Sequence, residues 1–391
     1  MYRIFRISSL PRATFCLALL LSLIGVSCRK APQPIPEVTT PVTPPDTAAT
    51  TPAGPVVKGF YLLNEGNLGS NKASLDYMDY TTGLYTLNLY NQRNPSVTKG
   101  LGDVGNDVGV YGSKVYIVVN NSNKVEVLDK ATGIRITQVN IINCRNVAFS
   151  GGKAYVSAYL GTVGDPNAPN GIVAEIDTAA LTITRKVTVG RQPEQIAIVG
   201  QKLYVANSGG YSPPNYERTV SVIDLASFTE LKRIDVAINL DRCIADKYGK
   251  LYVTSRGDYY TLGSNLYVID TKTDSVVKNF NLPASNLFID DNTAYVYATD
   301  FSYVTGKWTT TYNMIDVNAD TLLHRKFITD GTEQGIKVPY GIAVHPITKE
   351  VLVTDAKDYV NPGTLYCFDP TGKKEWSVTT GDIPGHFAFV Y

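Results

Sequence analysis

The 391-residue chain is poor in charge, histidine and cysteine. Only 18% of its residues are charged, and 36 Lys and Arg face 35 Asp and Glu. Residues 58–391 alone hold 31 basic and 33 acidic side chains. A nucleic-acid binder neutralises phosphates with a surplus of cations, so no nucleic-acid partner is expected. The three histidines, His324, His345 and His386, are scattered, and neither H-E-x-x-H nor G-x-S-x-G occurs. No catalysis is therefore expected and no metal site is assigned. The acids Asp103, Asp107, Glu194 and Asp241 leave a lactonase-like hydrolase as an alternative, since hard cations are held by carboxylates. Five cysteines with no C-x-x-C spacing build neither a disulfide framework nor a zinc site. Cys144, Cys243 and Cys367 read as small core residues. No 3.6-residue periodicity is sustained after residue 58, which excludes a barrel of alternating strands and long helices. What is plentiful is apolar residues (44%), with 26 Tyr, 32 Gly and 21 Pro. That mixture builds short strands joined by turns.

Residues 1–27 read as an export signal. Arg3, Arg6 and Arg12 precede an apolar run, Phe15 to Val26, of about a dozen residues, too short to span a bilayer. Gly25-Val26-Ser27-Cys28 resembles a bacterial lipobox, which would make Cys28 the lipidated first residue of the mature chain. Residues 28–57 then form a tether. Eight prolines and six threonines crowd residues 31–57, a composition that cannot bury a core. The lipid on Cys28 is the only expected contact with a membrane.

From residue 58 the chain repeats. An alternating segment ends in Asp seven times, at Asp79, Asp129, Asp177, Asp224, Asp270, Asp316 and Asp369, spaced by 50, 48, 47, 46, 46 and 53 residues. Each is preceded by a second strand of Tyr-Val type, such as Tyr116-Ile117, Tyr204-Val205 or Tyr252-Val253. Four strands per repeat and seven repeats predict an all-β, seven-bladed β-propeller over residues 58–391. The chain starts at a second strand (Gly59 to Leu63) and stops after a first (His386 to Tyr391). The last strand is thus expected to complete the first blade, closing the ring. The seven aspartates are expected to fix the next turn by bonding its backbone N–H groups.

The loops of such a fold open alternately on two faces, and here the two sets differ. Tyr111-Gly112-Ser113-Lys114 and Ser150-Gly151-Gly152-Lys153 are tight. The other set, at 158–171, 207–219, 255–265, 299–310 and 355–363, is long and aromatic. Function usually resides where loops are elaborated on a rigid scaffold. Tyr159, Tyr211, Tyr259, Tyr303, Trp308 and Tyr359 are predicted to rim a polar channel mouth. Arg145, Gln195, Arg242 and Asn286 are predicted beneath them, reading Arg145-Asn146, Glu194-Gln195 and Arg242-Cys243 as equivalent pairs.

The repeat form Leu203-Tyr204-Val205-Ala206-Asn207 with Val220-Ser221-Val222-Ile223-Asp224 resembles the YncE-like propeller family. Leu63-Asn64-Glu65-Gly66-Asn67-Leu68-Gly69-Ser70-Asn71 and Leu101-Gly102-Asp103-Val104 resemble its BtuG-type branch of Bacteroidetes surface lipoproteins. That resemblance implies a propeller anchored by lipid to the outer membrane, on the cell surface or on the periplasmic side. It implies capture of cobalamin or another corrinoid for a TonB-dependent transporter. It carries no ligand contacts over, because the blade loops do not match residue by residue. The acidic run that usually directs surface export is replaced by Arg29-Lys30-Ala31. A propeller docking a protein or a glycan is the alternative.

Overall fold

A computed structural model describes residues 40–41, 56–161, 165, 167–302 and 307–391. The signal, Cys28 and most of the Pro/Thr-rich segment lie outside these residues. Strands pair into seven antiparallel sheets of four, arranged as a ring. Blade 1 takes its innermost strand, Pro384–Val390, from the end of the chain. It continues outward through Gly59–Asn64, Ser74–Asp79 and Leu84–Thr86. Thr40–Pro41 adds one short pairing at its outer edge. The innermost strands of blades 2 to 7 are Gly105–Tyr111, Cys144–Ser150, Pro193–Val199, Leu240–Ala245, Asn286–Asp290 and Pro339–Val344. Seven blades, four strands each, and closure by the final strand are as the sequence predicts.

Burial follows strand position. Second strands such as Lys202–Asn207 (KLYVAN) are buried along nearly their whole length, being covered by neighbouring blades on both faces. Outer strands such as Thr182–Thr188 alternate or face water. The core is divided into seven apolar clusters among the described residues, one between each adjacent pair of blades. The cluster that seals blade 7 to blade 1 sets Phe60, Leu62 and Met78 against Leu352, Leu365 and Cys367. The three cysteines predicted as core residues are free and buried.

The seven repeat aspartates do what the turn chemistry requires. In every blade the carboxylate accepts backbone N–H groups two or three residues on, as at Asp177 from Ala179 (2.9 Å) and Ala180 (2.8 Å). The same bonds form at Asp79, Asp129, Asp224, Asp270, Asp316 and Asp369. Two features were not legible in the repeat. A five-residue helix, Leu89–Arg93, follows the short outer strand of blade 1, and the outer strand of blade 6 is only Thr321–Leu322. The segment at 299–310 is also no simple loop. Its flanking strands extend to Thr293–Ser302 and Lys307–Asp316, a long hairpin that projects beyond the blade.

Candidate functional site

The channel mouth is built by a repeated defect. In blades 1, 2, 3, 4, 5 and 7 the innermost strand carries a bulge where it enters the sheet. Arg145-Asn146 face the single residue Ser157, Glu194-Gln195 face Ala206, Asp241-Arg242 face Thr254, and Tyr340-Gly341 face Thr354. A bulge bends the strand and re-aims its side chains. Small hydroxyls on the second strand hold the bulged backbone: Asn146 N–H donates to Ser157 Oγ (3.1 Å), Arg242 N–H to Thr254 Oγ1 (3.0 Å) and Gly341 N–H to Thr354 Oγ1 (2.7 Å). Arg242 therefore occupies the second bulge position, with Asp241 in the first. The sequence register, which set Arg242 beside Arg145 and Glu194, is off by one residue in blade 5.

First-position residues form an ion network. Arg145 donates to Glu194 Oε2 through Nε (3.0 Å) and Nη2 (2.8 Å), and through Nη1 to Asn106 Oδ1 (2.7 Å). Glu194 Oε1 accepts from the Tyr159 hydroxyl (2.6 Å) and from Arg256 Nη1 (3.2 Å), whose Nη2 reaches Asp241 Oδ1 (2.8 Å). Burial works to raise the Glu194 pKa, but Arg145 and Arg256 outweigh it and hold the carboxyl well below its usual range. Second-position residues tie blades together. Asp107 Oδ2 accepts Val147 N–H (2.9 Å), Gln195 Oε1 accepts Cys243 N–H (3.0 Å), and Asn286 Nδ2 donates to Tyr340 O (3.0 Å). His386 contacts Glu65 Oε1 (2.9 Å), whose other oxygen accepts the Tyr340 hydroxyl (2.9 Å).

Beside this mouth, loops of blades 5, 6 and 7 enclose a cleft of about 910 Å³. Its walls are Tyr259, Tyr260 and Leu262 from blade 5, Tyr297, Thr299, Asp300 and Trp308 from blade 6, and Tyr340 and Tyr359 from blade 7. Asp241, Arg242 and Arg256 form its polar end. Tyr259 and Tyr359 are placed by the same device. Each follows an aspartate, Asp258 or Asp358, whose carboxylate accepts two or three N–H groups of the turn. Each tyrosine itself has left-handed backbone, with φ of 65° and 63°. That conformation costs a residue with a Cβ about 1–2 kcal/mol, and such strain is held where function positions a side chain. The ring of Tyr359 meets Tyr340 edge-on at 6.1 Å.

Of the predicted rim residues, Tyr259, Trp308 and Tyr359 line this cleft, and Arg242 lies at its polar end. Gln195 and Asn286 line the channel below it, with Arg242 reaching both spaces. Tyr159 is not a rim residue. It is only 2% exposed, because Glu194 takes its hydroxyl and the Arg145 guanidinium lies 5.1 Å from its ring centre. Arg145 is likewise consumed within the protein. Tyr211 is 42% exposed but lines neither space, and Tyr303 lies outside the described residues. Sequence reasoning did not choose Arg256, Tyr297 or Asp300. The repeated Asp-Tyr pair, Asp258-Tyr259 and Asp358-Tyr359, marks residues that were chosen and carries no signal for these three.

A family described as a domain of unknown function, DUF5074, matches residues 58–384. The chain belongs to that family. No curated protein matches it. Among solved structures, this DUF5074 chain is similar to a Bacteroides fragilis protein provisionally named a 6-phosphogluconolactonase. Identity is 12% and the TM-score 0.60, with 87% of this chain and all of that chain covered. It is similar also to a quinoprotein alcohol dehydrogenase-like protein of Bacteroides thetaiotaomicron (14%, TM-score 0.56, covering 85% and 78%). AztD of Citrobacter koseri is a third (13%, TM-score 0.51, covering 86% and 98%). At such identities the likeness is one of fold.

Elsewhere in the DUF5074 ring, blade 7 brings together Glu350, Cys367 and Glu375, with ligand-type atoms within 4.8 Å of one another. Although Glu375 is exposed overall, partial desolvation of its carboxyl and the Glu350 carboxylate beside it raise its pKa to about 7. A carboxyl whose folded pKa exceeds its unfolded value favours the fold at low pH and loses that contribution as pH rises through the folded pKa. Glu375→Gln is thus expected to flatten the decline in Tm between pH 5 and pH 8 and to raise Tm at pH 8. Calorimetry at both values checks this, and an unchanged pH slope would contradict it.

Proposed function

We propose that this protein is a non-catalytic binding propeller whose ligand seats in the cleft of blades 5, 6 and 7. The observation that carries the reading is convergence: elaborated loops of three successive blades direct aromatic side chains into one space. Its volume falls within the roughly 300–1,000 Å³ of small-molecule sites, and mostly apolar walls with a few polar groups are what such sites use. Rigid rings offer contact area at little entropic cost, so a flat, conjugated body with amide or hydroxyl edges suits these walls. A corrinoid has that form and is the first ligand to test. Its hand-over to a TonB-dependent transporter, and lipid attachment through Cys28 to the outer membrane, belong to the same reading and rest on the sequence resemblance. A lactonase-like reaction is disfavoured by the engagement of its four candidate acids. Asp241 is paired with Arg256 and Glu194 with two arginines, Asp107 takes backbone N–H groups, and Asp103 accepts from Gly69 and Asn121.

Calorimetric titration with cobalamin and with oligosaccharides tests the reading. Tyr359→Ala or Trp308→Ala is expected to weaken binding by about 2 kcal/mol, roughly thirtyfold. Lys114→Ala and Lys153→Ala, on the opposite face, are expected to leave it unchanged. Equal losses from both sets would reject the cleft. Binding of a glycan but no corrinoid at millimolar concentration would keep the cleft and replace the ligand.

A further inference from the structure

Among the described residues, Arg242 is the one second-position side chain of the channel mouth that makes no hydrogen bond, whereas Asn146 bonds the Asp107 carboxylate and His386 that of Glu65. Asp107, Gln195 and Asn286 each bond the neighbouring blade's backbone. Arg242 does not. Among the described residues its guanidinium makes no hydrogen bond. Its one ionic contact is Nε to Asp241 Oδ2 at 3.6 Å, too long for a hydrogen bond, and Nε is fully buried without a partner. The side chain is only 17% exposed. Asp241 is meanwhile committed to Arg256 at 2.8 Å, so two guanidinium groups share one carboxylate at the polar end of the cleft. Arginine stays charged and carries five donors. A cation drawn largely out of water with its donors unused is costly, and only the carboxylate shared with Arg256 offsets it. A second orphan points the same way: Thr299 Oγ1, on the same cleft wall, is buried without a hydrogen-bond partner.

We infer that Arg242 is an anion receptor, and that the ligand of the cleft carries a carboxylate or phosphate group which this guanidinium binds. The inference rests on the cleft being the binding site and adds the charge of its occupant. Two oxygens of a carboxylate or phosphate pair with the guanidinium fork through two parallel, charge-assisted hydrogen bonds, which a neutral amide or hydroxyl cannot match. Arg256, already paired with Glu194 and Asp241, leaves Arg242 as the guanidinium free to bind at that end, and the aromatic walls take the remainder of the ligand.

Ligand-observed NMR titrations with benzoate and phenyl phosphate, against neutral benzamide and benzyl alcohol, test it on the intact protein. At least one anion is expected to bind on the order of tenfold more tightly than the neutral probes. Which anion is preferred decides between carboxylate and phosphate. Arg242→Met is expected to remove that preference by weakening the anions far more than the neutral probes, and Arg242→Lys to retain part of it. Because no internal hydrogen bond is lost, Arg242→Met is expected to melt no lower than the parent protein. Equal binding of anions and neutral probes, a preference that survives Arg242→Met, or a marked fall in Tm for that variant would each overturn the inference. Binding by none of the four probes would also overturn the inference, while the cleft reading would still be decided by the titrations with cobalamin and oligosaccharides.

Discussion

Deleting residues 387–391 is expected to open the ring and lower Tm by about 10 °C or more. Four pairings with the strand Gly59–Asn64 are lost, among them Leu62 with Phe387 and Phe60 with Phe389. Phe387 and Phe389 pack edge-on against Phe60 at 5.5 and 6.0 Å, within the cluster that seals blade 7 to blade 1. Removing one well-packed aromatic side chain typically costs 3–5 kcal/mol. Here two go together, and a buried strand becomes an exposed edge. A kilocalorie shifts Tm by roughly 2–4 °C in domains of about 150–250 residues and by less in a larger one, so a loss of this size corresponds to about 10 °C. Thermal unfolding followed by circular dichroism measures the effect. A Tm within two degrees of the parent would mean that the ring closes by other contacts.

Glu194→Ala is expected to destabilise the fold by about 3–5 kcal/mol, the usual result of leaving buried charges without their partner. Arg145 would keep only Asn106, and Arg256 only Asp241. Tyr159 would lose the acceptor of its buried hydroxyl. The double variant Arg145→Met, Glu194→Met is expected to recover part of the loss, because it removes a cation together with the anion. The pH dependence has a fixed sign. Glu194 has a folded pKa below its unfolded value, so its contribution is present above about pH 4.5 and fades as pH falls below that. Urea titrations at pH 7 and pH 3 should show the gap between parent and Glu194→Ala narrowing in acid. A constant gap would exclude the charge network as its source.

The contrast between Arg145 and Arg242 shows where the sequence is readable. Both are single arginines before an apolar inner strand, and both were predicted to line the mouth. The repeat spacing, the turn aspartates and the closing strand could be read because each is a local pattern with a local cause. The bulges could not, since an extra residue is defined only by the strand opposite it. One such residue moves Arg242 out of the network position that Arg145 holds and leaves its side chain facing the channel and the cleft. Tyr159 was misplaced for a related reason. A loop tyrosine faces water or the interior according to its partner, and that partner, Glu194, enters 35 residues later from the next blade. The cleft tyrosines were better placed because Asp258 and Asp358 fix their turns locally.

The closing strand also determines how the ring bears load. Gly59–Asn64 lies between Ser74–Asp79 and Pro384–Val390 and is paired with each along six residues. A pull transmitted through Lys58 acts along the axis of that strand, so the rungs on both sides are strained together and in shear. They cannot be peeled one after another. A load applied in that direction would therefore fall on hydrogen bonds acting in parallel at the seam where the two ends of the fold meet.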